Sequence, residues 1–87
     1  MADLDLEVST MGSNVNVMIS GDRLRGNIIL AVFTEGYKER WVPLNENSVG
    51  CYTGSFLRPG PPGEYHFHVY EDRGRPIWVG DAGTEYL

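Results

Sequence analysis

Eighty-seven residues allow one domain with a single hydrophobic core, which excludes a two-domain enzyme. Seven Lys and Arg against twelve Asp and Glu give a net charge of −5, which repels a phosphate backbone and an anionic lipid surface, so neither nucleic acid nor membrane is an expected partner. The single cysteine, Cys51, rules out an internal disulfide and any zinc framework of paired cysteines.

In chain order, residues 3–9 alternate Leu4, Leu6 and Val8 with Asp3, Asp5, Glu7 and Ser9, the period-2 pattern of a half-buried strand. The turn-forming cluster Met11-Gly12-Ser13-Asn14 leads into a second strand, with Val15, Val17 and Ile19 on one face. Ile28 to Phe33 is apolar on both parities, which fits a strand covered on both faces or a short buried helix; its branched and aromatic residues favour the strand. Trp41-Val42-Pro43-Leu44 forms a short strand, and Pro43, lacking a donor, places it at a sheet edge. Asn45 to Gly50 reads as a loop, and Cys51 to Leu57 as a strand with a bulge at Gly54.

Arg58-Pro59-Gly60-Pro61-Pro62-Gly63 supports neither helix nor ladder and reads as a rigid surface link. Glu64 to Asp72 alternates Tyr65, Phe67, Val69 and Glu71 against Glu64, His66, His68 and Tyr70, and Asp72-Arg73-Gly74-Arg75 turns it into Ile77-Trp78-Val79. Residues 80–87 read as a short arm, with Thr84 to Leu87 forming a last strand or lying on a neighbour. The sum is a single all-β domain over residues 1–87, an antiparallel sandwich of about seven strands, with a small barrel as the alternative because periodicity carries no strand order.

Three spaced runs carry a resemblance: Ser20-Gly21, then Gly26-x-Ile28-x-x-Ala31-Val32-Phe33, then Pro62-Gly63-x-Tyr65-x-x-x-Val69-x-x-Asp72. They resemble the immunoglobulin-like and prealbumin-like sandwiches of bacteria and phages, in which a Pro-Gly-x-Tyr turn opens a late strand. The resemblance covers most of residues 15–79 and implies an immunoglobulin-like β-sandwich; in its phage setting it implies a capsid decoration, or cement, protein.

Local chemistry is sparse. His66 and His68 project from one face and could share a metal ion, but the further ligands would have to come from Cys51, Glu64 or a carboxylate of another strand; a solvent-facing strand with two polar residues is the favoured explanation, and no metal is expected. No nucleophile elbow or phosphate loop occurs, and turn chemistry accounts for Glu71-Asp72, so neither enzyme activity nor a cofactor is expected.

Trp41 and Trp78 could form a platform for a sugar or another ligand, with Tyr37, Tyr70 and Tyr86 as further aromatic anchors, yet a core this small is expected to take at least one Trp between its sheets. Acidic Asp3, Asp5 and Glu7 against basic Arg23 and Arg25, together with Tyr37, Tyr86 and Leu87, form the candidate partner surface, used by strand augmentation or charge pairing. The expected role is docking on a larger protein assembly such as a capsid shell, or on further copies of the chain. The acidic N-terminus does not read as a leader, and no apolar stretch approaches the roughly 20 residues of a membrane span, so the expected location is the virion surface or the cytoplasm.

Overall fold

The computed structural model describes residues 4–87. Asp3, the first residue of the expected opening strand and a candidate partner residue, lies outside the described residues. Eight strands follow one another: β1 (Asp5–Met11), β2 (Asn14–Ser20), β3 (Ile28–Phe33), β4 (Arg40–Pro43), β5 (Asn45–Ser48), β6 (Cys51–Leu57), β7 (Glu64–Asp72) and β8 (Pro76–Tyr86). They form two antiparallel sheets, ordered β1-β2-β6-β5 and β4-β3-β7-β8. Each sheet ends in two edge strands, so the arrangement is open and the barrel alternative is overturned.

The strand count corrects the expected seven. β5 has the sequence Asn45-Glu46-Asn47-Ser48, exposed throughout, so no apolar alternation announces it. Backbone pairing alone defines it: Asn45 lies opposite Thr53 and Glu46 opposite Tyr52. At the other end of the chain, residues 80–86 do not leave the body as an arm. They continue β8, with His66 opposite Thr84 and Glu64 opposite Tyr86. Leu87 donates its N–H to the Gly63 carbonyl at 2.8 Å. Two register shifts in the β7–β8 pair put Val79 and Ala82 out of step, which is why a single strand reads as two pieces. Asp81 Oδ1 accepts from the Gly83 N–H at 2.8 Å, and Gly83 takes φ +116°, a backbone state open to glycine.

The sheets face each other across one core. Val15, Val17, Ile19, Tyr52 and Phe56 come from the first sheet, and Ile28, Leu30, Val32, Val42, Tyr65, Phe67 and Val69 from the second. No tryptophan enters it. The expectation of a Trp between the sheets fails because the large inward positions are taken by Tyr52, Tyr65 and Phe67, while Trp41 and Trp78 fall on the outward parity of β4 and β8. The expected bulge at Gly54 is also absent, since the β2–β6 register is continuous with Val17 opposite Gly54. Leu44 is the reason for this glycine: a Cβ at position 54 would sit 2.5 Å from its Cδ2. Between β4 and β5 the chain changes sheets at Leu44, whose N–H donates to the Ile28 carbonyl at 2.9 Å.

The Pro-Gly link crosses between sheets and is tied down internally. Arg58 Nε donates to the Gly60 carbonyl at 2.8 Å, and the Tyr65 hydroxyl donates to the Pro61 carbonyl at 2.8 Å. Gly60 has no room for a side chain, because a Cβ there would meet the Tyr65 hydroxyl at 2.9 Å and the Tyr37 ring at 3.2 Å.

The second buried phenol, Tyr52, donates to the Gly26 carbonyl at 2.8 Å. Burial raises its pKa above the ordinary 10.0, with help from the Glu46 and Glu71 carboxylates. Burial also raises that of Tyr65, outweighing the lowering effect of Arg58. Both folded values lie above the unfolded one, so their stabilising contribution is intact below about pH 10 and is lost as pH rises through the folded values. In an ultraviolet alkaline titration, these two phenols should ionise together with loss of strand circular dichroism, and Tyr52→Phe should shrink that late step. Ionisation of both before any unfolding would contradict this.

Candidate functional site

The outward face of the β4-β3-β7-β8 sheet gathers most of the side chains with recognition chemistry. Strand alternation puts Ile29, Ala31 and Phe33 of β3 on this face, opposite Tyr70, His68 and His66 of β7. Register sets Trp41 beside Ala31 and Trp78 beside Tyr70. Ala31, only 1% exposed, is small enough to lie beneath its neighbours while Trp41 reaches Tyr70, ring centroids 4.9 Å apart. Tyr70 meets Trp78 at 5.4 Å and 77°, and His68 meets Trp78 at 5.0 Å and 82°. Phe33 continues the cluster, stacked on His66 at 5.1 Å and edge-on to His68 at 4.9 Å.

The cluster is held in place and remains open to solvent. Trp41 is 40% exposed and Trp78 53%. Trp41 Nε1 donates to Glu39 Oε1 at 3.0 Å, which fixes the indole. Rings anchored on paired strands lose little freedom when a partner covers them.

His66 and His68 do share a face, as their spacing predicts, but the rest of the proposed metal set does not join them. Cys51 belongs to the other sheet, opposite Ser20. Glu64 shares their face at the start of β7, exposed and opposite Tyr86, but completes no ligand group with them. The nearest carboxylate is Asp81, with Oδ2 at 3.9 Å from His68 Nε2. Among the described residues no group of three or more metal-ligating side chains forms. Asp72 serves its turn, its Oδ1 accepting from the Gly74 N–H at 3.1 Å, while Glu71 pairs with Arg73 at 3.2 Å.

The candidate partner residues are split between opposite ends of the molecule. Asp5 pairs with Ser20, at the end that carries Arg23 and Arg25, and Arg23 Nη2 donates to the Val79 carbonyl at 3.2 Å. Tyr37, Tyr86 and Leu87 lie at the far end, with Tyr37 packed over Gly60. Leu87 is tied back by Arg58, whose Nη1 donates to the Leu87 carbonyl at 3.3 Å. Glu7 lines a shallow concavity of about 530 Å³ on the outer face of the first sheet, among Ser9, Asn16, Asn45, Thr53 and Ser55, without an aromatic ring.

Sequence reasoning left out Phe33 and the two histidines as members of the aromatic face. The outward parity of Ile29, Ala31 and Phe33 in an apolar run was the available signal. The chain matches no known family model, no curated protein and no solved structure. Among the described residues no helix is long and apolar enough to cross a membrane.

Proposed function

We propose that this chain is a non-enzymatic binding module that docks on a larger protein through the outer face of the β4-β3-β7-β8 sheet. The observation that carries the reading is the Trp41–Tyr70–Trp78 cluster, placed on the solvent side of rigid strands and kept out of the core. Trp and Tyr dominate the energetic centres of protein interfaces, where a few buried anchors supply most of the affinity. A sugar-binding platform is the competing use. Stacking along a glycan calls for rings near one plane, whereas Trp78 stands at 77° to Tyr70 and 82° to His68, which favours the knobs and clefts of a protein contact.

We read the two sheets as an immunoglobulin-like sandwich. Their order, β1-β2-β6-β5 facing β4-β3-β7-β8, supports it, as does the Tyr65 hydroxyl bonded back to Pro61 at the corner before β7, the tyrosine-corner device of such folds. Phe67, two residues on, stands where antibody domains carry a cysteine and is fully buried there. A capsid shell as the partner rests on the phage resemblance alone.

The test compares proteins cross-linked to the native chain with those cross-linked to Trp41→Ala/Trp78→Ala, whose fold is checked by far-ultraviolet thermal melts. A partner should be lost by at least roughly tenfold in the double variant, in keeping with interface anchors worth about 2 kcal/mol or more. Equal recovery would refute the assignment of this face. Saturable binding on a glycan array that disappears in the double variant would favour the sugar platform instead.

A further inference from the structure

The two lateral sides of the molecule are closed differently. On one side the chain itself crosses between the sheets, and Leu44 is buried against Gly54. On the other, β1 and β8 are edges of different sheets, and the apolar residues there pack on the core while only half covered: Leu4, Leu6 and Val8 with Val79 and Ala82. This leaves an apolar seam along β1.

The four edges also differ in how they resist pairing with a further strand. β4 carries Pro43, β5 is four residues long with a register shift, and β8 has two shifts. These devices blunt an edge. β1 runs for seven residues in unbroken register with β2, without proline or glycine. Its only guard is charge, because Asp5 and Glu7 project to the solvent side and are exposed.

That charge selects the occupant. In an antiparallel pair of two β1 strands, placing Leu6 opposite Leu6 puts Asp5 opposite Glu7, and placing Leu6 opposite Val8 puts Glu7 opposite Glu7. Like charges directly opposite are destabilising. A register centred on Val8 avoids this but sets Leu6 against Thr10 and Asp5 against Met11. A second copy of the chain therefore fits poorly. A strand with apolar residues on one parity and Lys or Arg on the other fits both the seam and the carboxylates.

We propose that β1 is a receptor edge for an extended segment of a partner protein in which apolar residues alternate with Lys or Arg. Backbone hydrogen bonds extend the β1-β2-β6-β5 sheet, the apolar side chains cover the seam beside Leu6 and Val8, and the basic ones pair with Asp5 and Glu7. This edge and the aromatic face belong to different sheets, so either can fail without the other.

The experiment titrates the full chain with a short synthetic peptide alternating Val and Lys, followed by calorimetry and amide hydrogen exchange. Controls are the same peptide with Glu in place of Lys, and one N-methylated along one edge. The Val-Lys peptide should saturate and protect β1 amides, and both controls should bind roughly tenfold or more weakly. The variant Asp5→Lys/Glu7→Lys should reverse the preference toward the Glu peptide. Absence of saturable binding, equal affinity for the N-methylated peptide, or a preference unchanged by charge reversal would overturn the proposal. Protection of β1 in a dimer of the chain alone would overturn it too.

Discussion

Phe67→Ala should destabilise the domain by roughly 3–5 kcal/mol, a large part of the roughly 5–15 kcal/mol that holds a small domain together. The ring is fully buried in β7, with Val32 on one side and Gly83 on the other as cross-strand neighbours. Gly83 has no side chain to move into the vacated space, so the site collapses poorly and the cavity cost adds to the lost transfer energy. Urea unfolding of the two proteins measures the difference. Val49→Ala, at a position 96% exposed, should stay within about 0.5 kcal/mol and serves as the baseline. A loss below about 2 kcal/mol for Phe67→Ala would mean that the strands close over the gap.

Gly54→Val should cost roughly 1–3 kcal/mol by overpacking. Its Cβ would enter 2.5 Å from Leu44 Cδ2 and 3.7 Å from Val42 Cγ1, at the place where the chain changes sheets. Leu44→Ala alone should cost about 2–5 kcal/mol, because Leu44 is only 7% exposed. The two changes share one volume, so the double variant should be more stable than the sum of the singles predicts, by roughly 0.5–3 kcal/mol. Unfolding free energies of all four proteins complete the cycle. Strict additivity would show that Leu44 is not what requires a glycine at 54.

What the sequence made legible follows from where each strand lies. β2 and β7 have one face in the core and one in solvent, so Val15, Val17 and Ile19, and then Tyr65, Phe67 and Val69, alternate cleanly and are found buried where expected. Pro43 marked an edge strand correctly, since β4 ends its sheet. β5 was invisible because an edge strand with both faces in water needs no apolar residue. β8 reads in sequence as two pieces because Gly80 and Gly83 flank its register shifts, and periodicity breaks at each.

The candidate site divides in the same way. That His66 and His68 share a face could be read from their spacing alone. That Trp41 lies beside Tyr70, and Tyr70 beside Trp78, could not, because it depends on the order β4-β3-β7-β8, which no local pattern encodes. The placing of the tryptophans outside the core follows from volume: Tyr52, Tyr65 and Phe67 already fill the space between the sheets, and two of them spend their hydroxyls on the carbonyls of Gly26 and Pro61.

The strand order also bears on how the chain finds its fold. The hairpins β1–β2 and β7–β8 join neighbours in sequence and can close within microseconds. The central ladders β2–β6 and β3–β7 join strands with three others between them in the chain, and each must pay its loop-closure entropy before the core rewards it. Assembly is thus limited by the meeting of distant central strands, on the millisecond-to-second scale of all-β domains. The early hairpins wait on it, with their apolar faces in water until the inner pairs form.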